Sequence, residues 1–83
     1  SETQIEELSV SFYPNPAKDQ FEILFGKKKP GNFRLTLTDL SGRQILNIEN
    51  EEIIDVSYLQ NGVYLATVTA DQKKLVNKII VQK

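Results

Sequence analysis

Four aspartates, Asp19, Asp39, Asp55 and Asp71, and seven glutamates are the groups in this chain best suited to act as catalytic acids or bases. Glu49, Glu51, Glu52 and Asp55 fall close together in sequence. Catalysis or metal binding there requires several carboxylates to converge on one point inside a cleft. Alternation along an extended chain instead sends neighbours to opposite faces, and a small domain has little room for a cleft. The acidic run also lacks the interleaved glycine and oxygen-ligand spacing of a calcium loop. A solvated acidic loop is the simpler account.

The basic counterpart is Lys27-Lys28-Lys29, which has the charge to grip phosphate or an anionic sugar. Nucleic acid would also call for aromatic side chains among the positive charges, and none sits beside this loop. Ten basic and eleven acidic residues give a net charge of −1, so the chain has no overall pull toward nucleic acid or anionic lipid. Histidine, cysteine, methionine and tryptophan are absent. Zinc fingers, thiolate chemistry, Ser-His-Asp relays and c-type haem attachment are thereby excluded, and no cofactor is expected. Residues 1–10 are acidic and lack the apolar stretch of a signal peptide or membrane span, so membrane insertion is not expected.

The elements that must position these groups are strands. Strand-like runs recur at 8–13, 19–25, 33–39, 43–48, 52–56, 63–70 and 74–82, separated by turn residues rather than helices. Three stripes, Leu8-Val10-Phe12, Phe21-Ile23-Phe25 and Phe33-Leu35-Leu37, are each apolar at every second position and are expected to form much of the core. Pro14-Asn15-Pro16 cannot lie inside a central ladder, because prolines lack the amide proton. It reads as a bend through which the first strand passes from one sheet to the other. Asp39-Leu40-Ser41-Gly42-Arg43 reads as a tight hairpin with Gly42 at positive φ. Arg43 is expected to pack or to pair with a neighbouring carboxylate.

Leu59, Gly62 and Tyr64 have the spacing of a tyrosine corner, in which a phenol hydroxyl bonds to nearby backbone where the chain crosses between sheets. Gly62 is expected at positive φ there, although Asn61-Gly62 is also compatible with a two-residue hairpin turn. Asp55 is placed to brace the turn that follows it. With Tyr64 pointing inward, Ala66, Val68 and Ala70 follow it, leaving Val63 and Leu65 outward. In the last strand Leu75, Ile79 and Val81 share one face, and Val76 and Ile80 share the other with Lys78. Joined apolar groups on the outer face suggest a docking surface. Lys78 and Lys83 have two readings: lysines that protect a sheet edge from pairing, or part of a strand that a receptor reads.

Four elements in order then carry a family resemblance: Tyr13-Pro14-Asn15-Pro16-Ala17; Leu37-x-Asp39-x-x-Gly42-Arg43; Asp55-Val56-Ser57-x-Leu59-x-x-Gly62-Val63-Tyr64; and Lys78-Ile79-Ile80-Val81-x-Lys83 at the end. Over residues 8–83 the chain resembles the C-terminal sorting domain, type A, of proteins exported by the type IX (Por) secretion system of Bacteroidetes. The resemblance implies an all-β fold, an immunoglobulin-like antiparallel β-sandwich of about seven strands. It implies an address label rather than an enzyme. The label would direct a cargo from the periplasm through the outer-membrane translocon to the cell surface or medium. A sortase-like surface peptidase would then cut it off.

Residues 1–7 read as the end of a linker from an upstream cargo. The resemblance places translocon recognition on Lys78, Ile79, Ile80, Val81, Gln82 and Lys83. The apolar face of the last two strands also offers a surface for weak homodimerisation. The rival reading is an adhesive or spacer module of the immunoglobulin or fibronectin type, binding carbohydrate or protein.

Overall fold

Side chains of a strand alternate between its faces, so a two-residue apolar period buries one face and leaves the other wet. The computed structural model describes residues 9–26 and 29–83. The expected linker at 1–7, Leu8 of the first stripe, and Lys27 and Lys28 lie outside the described residues. Seven strands follow in order: β1 Val10–Tyr13, β2 Gln20–Phe25, β3 Arg34–Asp39, β4 Gln44–Glu49, β5 Ile53–Asp55, β6 Gly62–Ala70 and β7 Lys73–Val81. Each expected strand is present, and no end moves by more than two residues.

The strands form two antiparallel sheets, one in the order β1-β2-β5 and the other β4-β3-β6-β7. This is the expected immunoglobulin-like sandwich, all-β among the described residues. Its interior is built from the alternating stripes. Phe12, Phe21, Ile23, Phe33, Leu35 and Leu37 are buried, while Val10 and Phe25 pack against them from the rim. Phe12 meets Phe21 edge-on with centroids 5.2 Å apart, and Phe25 meets Phe33 likewise at 4.9 Å. Edge-to-face contact directs the positive ring edge at the negative face of its neighbour. Strands β6 and β7, in the same sheet as β3, supply Tyr64, Ala66, Val68, Ala70, Ile79 and Val81, all buried as the alternation requires.

The passage between sheets lies where the two prolines put it. The Tyr13-Pro14 and Asn15-Pro16 peptide bonds are both cis. Beyond them Ala17, fully buried, forms a parallel bridge to Val81 of β7. The chain thus pairs with β2 through β1 and then with the edge of the other sheet. A two-residue turn joins β6 to β7, with Asp71 and Gln72 at φ 51° and 66°. Both central residues at positive φ is the hairpin geometry that matches strand twist.

Burial decides which residues of β7 hold the fold. Ile79 is fully buried, whereas Val76 is 51% exposed on the outer face. Ile79→Ala is expected to cost roughly 2–5 kcal/mol, because a cavity is added to the lost transfer energy. Val76→Ala should cost less than about 1 kcal/mol. Denaturant melts of the two variants check this; equal losses would contradict the assigned facing of β7.

Candidate recognition surface

The motif residues gather at one end of the sandwich, and most of them are occupied in holding turns. Between β5 and β6 the Tyr64 hydroxyl donates to the carbonyl of Gln60 at 2.7 Å, which is the expected tyrosine corner. The Asp55 carboxylate accepts the Ser57 amide at 2.9 Å, bracing the same turn. That bond, with a smaller contribution from the Lys83 charge, holds the Asp55 carboxyl below its ordinary value. Leu59 is half-buried against the core.

Lys83 closes this corner from the far side. Its amide donates to Asn61 Oδ1 at 3.0 Å, and its ammonium donates to the carbonyls of Ser57 and, at 2.6 Å, Leu59. Gly62 departs from expectation. It does not take positive φ; it is the first residue of β6, paired with Val81 in ordinary strand geometry. The phenol bond and the Lys83 contacts close the turn before residue 62, so the chain already enters β6 extended. A Cβ at Gly62 would meet Tyr64 Cε1 at 3.8 Å, an ordinary contact, so neither backbone angle nor crowding demands glycine there.

The β3–β4 hairpin is built as expected. Gly42 has φ 93° and its amide donates to the Asp39 carbonyl at 3.0 Å. The Asp39 carboxylate accepts the Ser41 hydroxyl at 2.6 Å and the Ser41 and Arg43 amides at 3.0 Å each. Arg43 Nε pairs with it at 3.3 Å. The Ser41 hydroxyl above all, then the Arg43 amide, lowers the Asp39 carboxyl below its ordinary value of 3.8.

The closing strand is less open than its sequence suggests. Ile79 and Val81 are buried, and the outward backbone of residues 78–82 is covered. Asn15 Nδ2 donates to the Lys78 carbonyl at 3.1 Å and Asn15 Oδ1 accepts the Ile80 amide at 3.0 Å. The Ala17 amide donates to the Ile80 carbonyl at 2.7 Å, and the Gln82 amide donates to the Ala17 carbonyl at 2.8 Å. Asn15 therefore serves as a stretch of partner strand made from a side chain. Sequence reasoning placed Asn15 in the bend but missed this role. The available signal was an amide side chain held between two residues that cannot donate.

What remains presented is a face. On the outer side of β6 and β7 the register sets Val63 beside Ile80, Leu65 beside Lys78, and Thr67 beside Val76. Lys78 and Ile80 are exposed there, as is Val76. Of the six expected recognition residues, then, Ile79 and Val81 face the core, Lys78 and Ile80 face out, and Gln82 and Lys83 tie the end of the chain to segments 17 and 57–61. The acidic run does not converge on a cleft: Glu49 pairs with Arg34 and Glu52 with Lys29, while Asp55 braces its turn.

Residues 11–82 match the family described as the secretion system C-terminal sorting domain. The chain belongs to the type IX sorting-domain family. No curated protein matches it significantly. Membership makes the domain a sorting signal for type IX export, carried by a cargo that reaches the cell surface or the medium, and a signal rather than a catalytic domain.

Two consequences for the sorting domain's stability follow from its turns. Tyr64→Phe should cost roughly 1 kcal/mol or more in a denaturant melt, by orphaning the Gln60 carbonyl in a partly buried corner. Unchanged stability would show that the phenol bond does not hold the corner. Asp39 has its pKa lowered by folding, so its contribution is fully present above 3.8 and is lost as pH falls below that value toward the folded pKa. The stability gap between the native chain and Asp39→Asn should therefore be widest near neutral pH and shrink in acid. Chemical melts across that range measure it; a gap that does not change with pH would contradict the assignment.

Proposed function

We propose that the translocon reads this sorting domain through the outer face of β6 and β7, with Lys78 and Ile80 at its centre. The observation that carries this reading is the division of labour along residues 78–83. The backbone edge is already paired with Asn15 and Ala17, and the inward side chains are in the core. Strand addition at that edge would first have to displace the 15–17 segment, so side chains on the face are the accessible feature. An apolar patch with flanking lysines suits recognition by a protein surface and needs no cofactor.

In the same reading, the cargo crosses the periplasm with this domain folded, and a sortase-like peptidase on the surface cuts in the segment that precedes β1. Machinery that serves many cargoes needs a label whose recognised surface is independent of the cargo. A surface held inside one small sandwich meets that need.

Deleting residues 78–83 does not test this, because the deletion also removes Ile79 and Val81 from the core and Lys83 from the corner. The informative comparison is Lys78→Glu and Ile80→Asp, each in the full chain fused behind a signal peptide and a fluorescent cargo in a type IX-competent host. Each variant should keep its cooperative melt and lose most surface cargo, while substitutions at exposed Tyr58 or Leu40 leave export intact. The mass of the exported cargo reports whether the domain has been cut away. Folded face variants that export normally would overturn the assignment of this face.

A further inference from the structure

Five of the seven large apolar side chains exposed among the described residues lie on the two outer faces of the sandwich: Tyr13, Leu24 and Ile53 on one, Val76 and Ile80 on the other. In each face these apolar groups surround one charge. On the β1-β2-β5 sheet, Glu22 is paired laterally with Tyr13 on one side and Ile53 on the other, and Leu24 follows two residues on. On the β4-β3-β6-β7 sheet, Lys78 is paired with Leu65 and stands between Val76 and Ile80 along its strand. Lateral neighbours in a sheet are about 4.8 Å apart and same-face neighbours along a strand about 6.6 Å. Each charge is thus ringed at close range by three apolar groups. Glu22 and Lys78 have no ion-pair partner among the described residues.

We infer that the two faces are occupants for one another: the Glu22 face of one copy packs on the Lys78 face of the next. Charge decides the pairing. Two Lys78 faces brought together oppose Lys74 and Lys78 with their own copies, and two Glu22 faces oppose Glu22 and Asp55 with theirs; like charges so placed are destabilising. The crossed arrangement sets ammonium against carboxylate and apolar ring against apolar ring. Twisted sheets pack face to face in aligned fashion, so backbone shape permits it. The contact is heterologous, using a different surface on each partner, and propagates as an open stack rather than closing as a dimer. This differs from a symmetric dimer through β6 and β7, and it does not depend on which surface the export machinery reads. The faces are small, so the association is weak and salt-sensitive.

Sedimentation of the full chain over a wide concentration range, at low and high salt, tests the inference with three variants. The native chain should show open-ended, concentration-dependent association that salt weakens. Glu22→Lys and Lys78→Glu should each weaken it by roughly tenfold or more through like-charge opposition. The double variant Glu22→Lys/Lys78→Glu should recover to within about threefold of the native chain, since the crossed pair is re-formed with its signs exchanged. Both positions are exposed, and thermal melts of each variant check that it folds. A native chain monomeric at the highest concentration in low salt overturns the inference. So does Glu22→Lys without effect, the result a symmetric Lys78-face dimer would give, or a double variant no better than either single change.

Discussion

Four hydrogen bonds between residues 15–17 and the outer edge of β7 are the constraint on which this domain rests. A strand at the border of a sheet leaves half its amides and carbonyls unpaired, and a long bare border invites other chains to add to it. Here the border of residues 78–82 is covered by Asn15 and Ala17, which arrive directly from β1 of the other sheet. One short segment therefore finishes one sheet, clips it to the other and shields the exposed backbone. The prolines on either side of Asn15 carry no amide proton, and the Asn15 side-chain amide supplies both a donor, to the Lys78 carbonyl, and an acceptor, for the Ile80 amide. With this part of the border covered, residues 78–82 meet their surroundings mainly through side chains.

The turns at the same end follow a related economy. Asp39, Asp55 and Lys83 are ionised groups that serve as local hydrogen-bonding centres, collecting amides or carbonyls that a turn would otherwise leave to water. Asn50 does the same at the opposite end, exchanging bonds with Phe33 through both its amide and its side chain. Charge consumed within turns is charge withheld from the surface. On the outer sheet faces Arg34 and Glu49 are paired with each other, and Glu22 and Lys78 are set among apolar neighbours.

Local periodicity made most of the architecture legible. Seven alternating runs marked seven strands because burial on one face imposes a period of two, and the Leu59–Tyr64 spacing marked the corner because a phenol reaches only a few residues back. Gly42 was readable because its hairpin requires positive φ; Gly62 was misread because its turn is closed in part by Lys83, distant in sequence. The covering of β7 was likewise illegible: Asn15 and Ile80 are 65 residues apart, and nothing local in either announces the other. The apolar–basic face was half legible, since alternation assigned Val76, Lys78 and Ile80 to one side. Their neighbours Val63 and Leu65 depended on a register that the sequence does not state.

If the export machinery reads the outer face of β6 and β7, as proposed above, their cross-strand register has a consequence for what kind of mark it is. Val63 and Ile80, or Leu65 and Lys78, become neighbours only after the β6–β7 hairpin has formed. No short stretch of chain contains the patch, and a peptide copying β7 alone would lack it. Such a mark is a conformational epitope. It vanishes on unfolding, and whatever recognises it is at the same moment inspecting the integrity of the bearer.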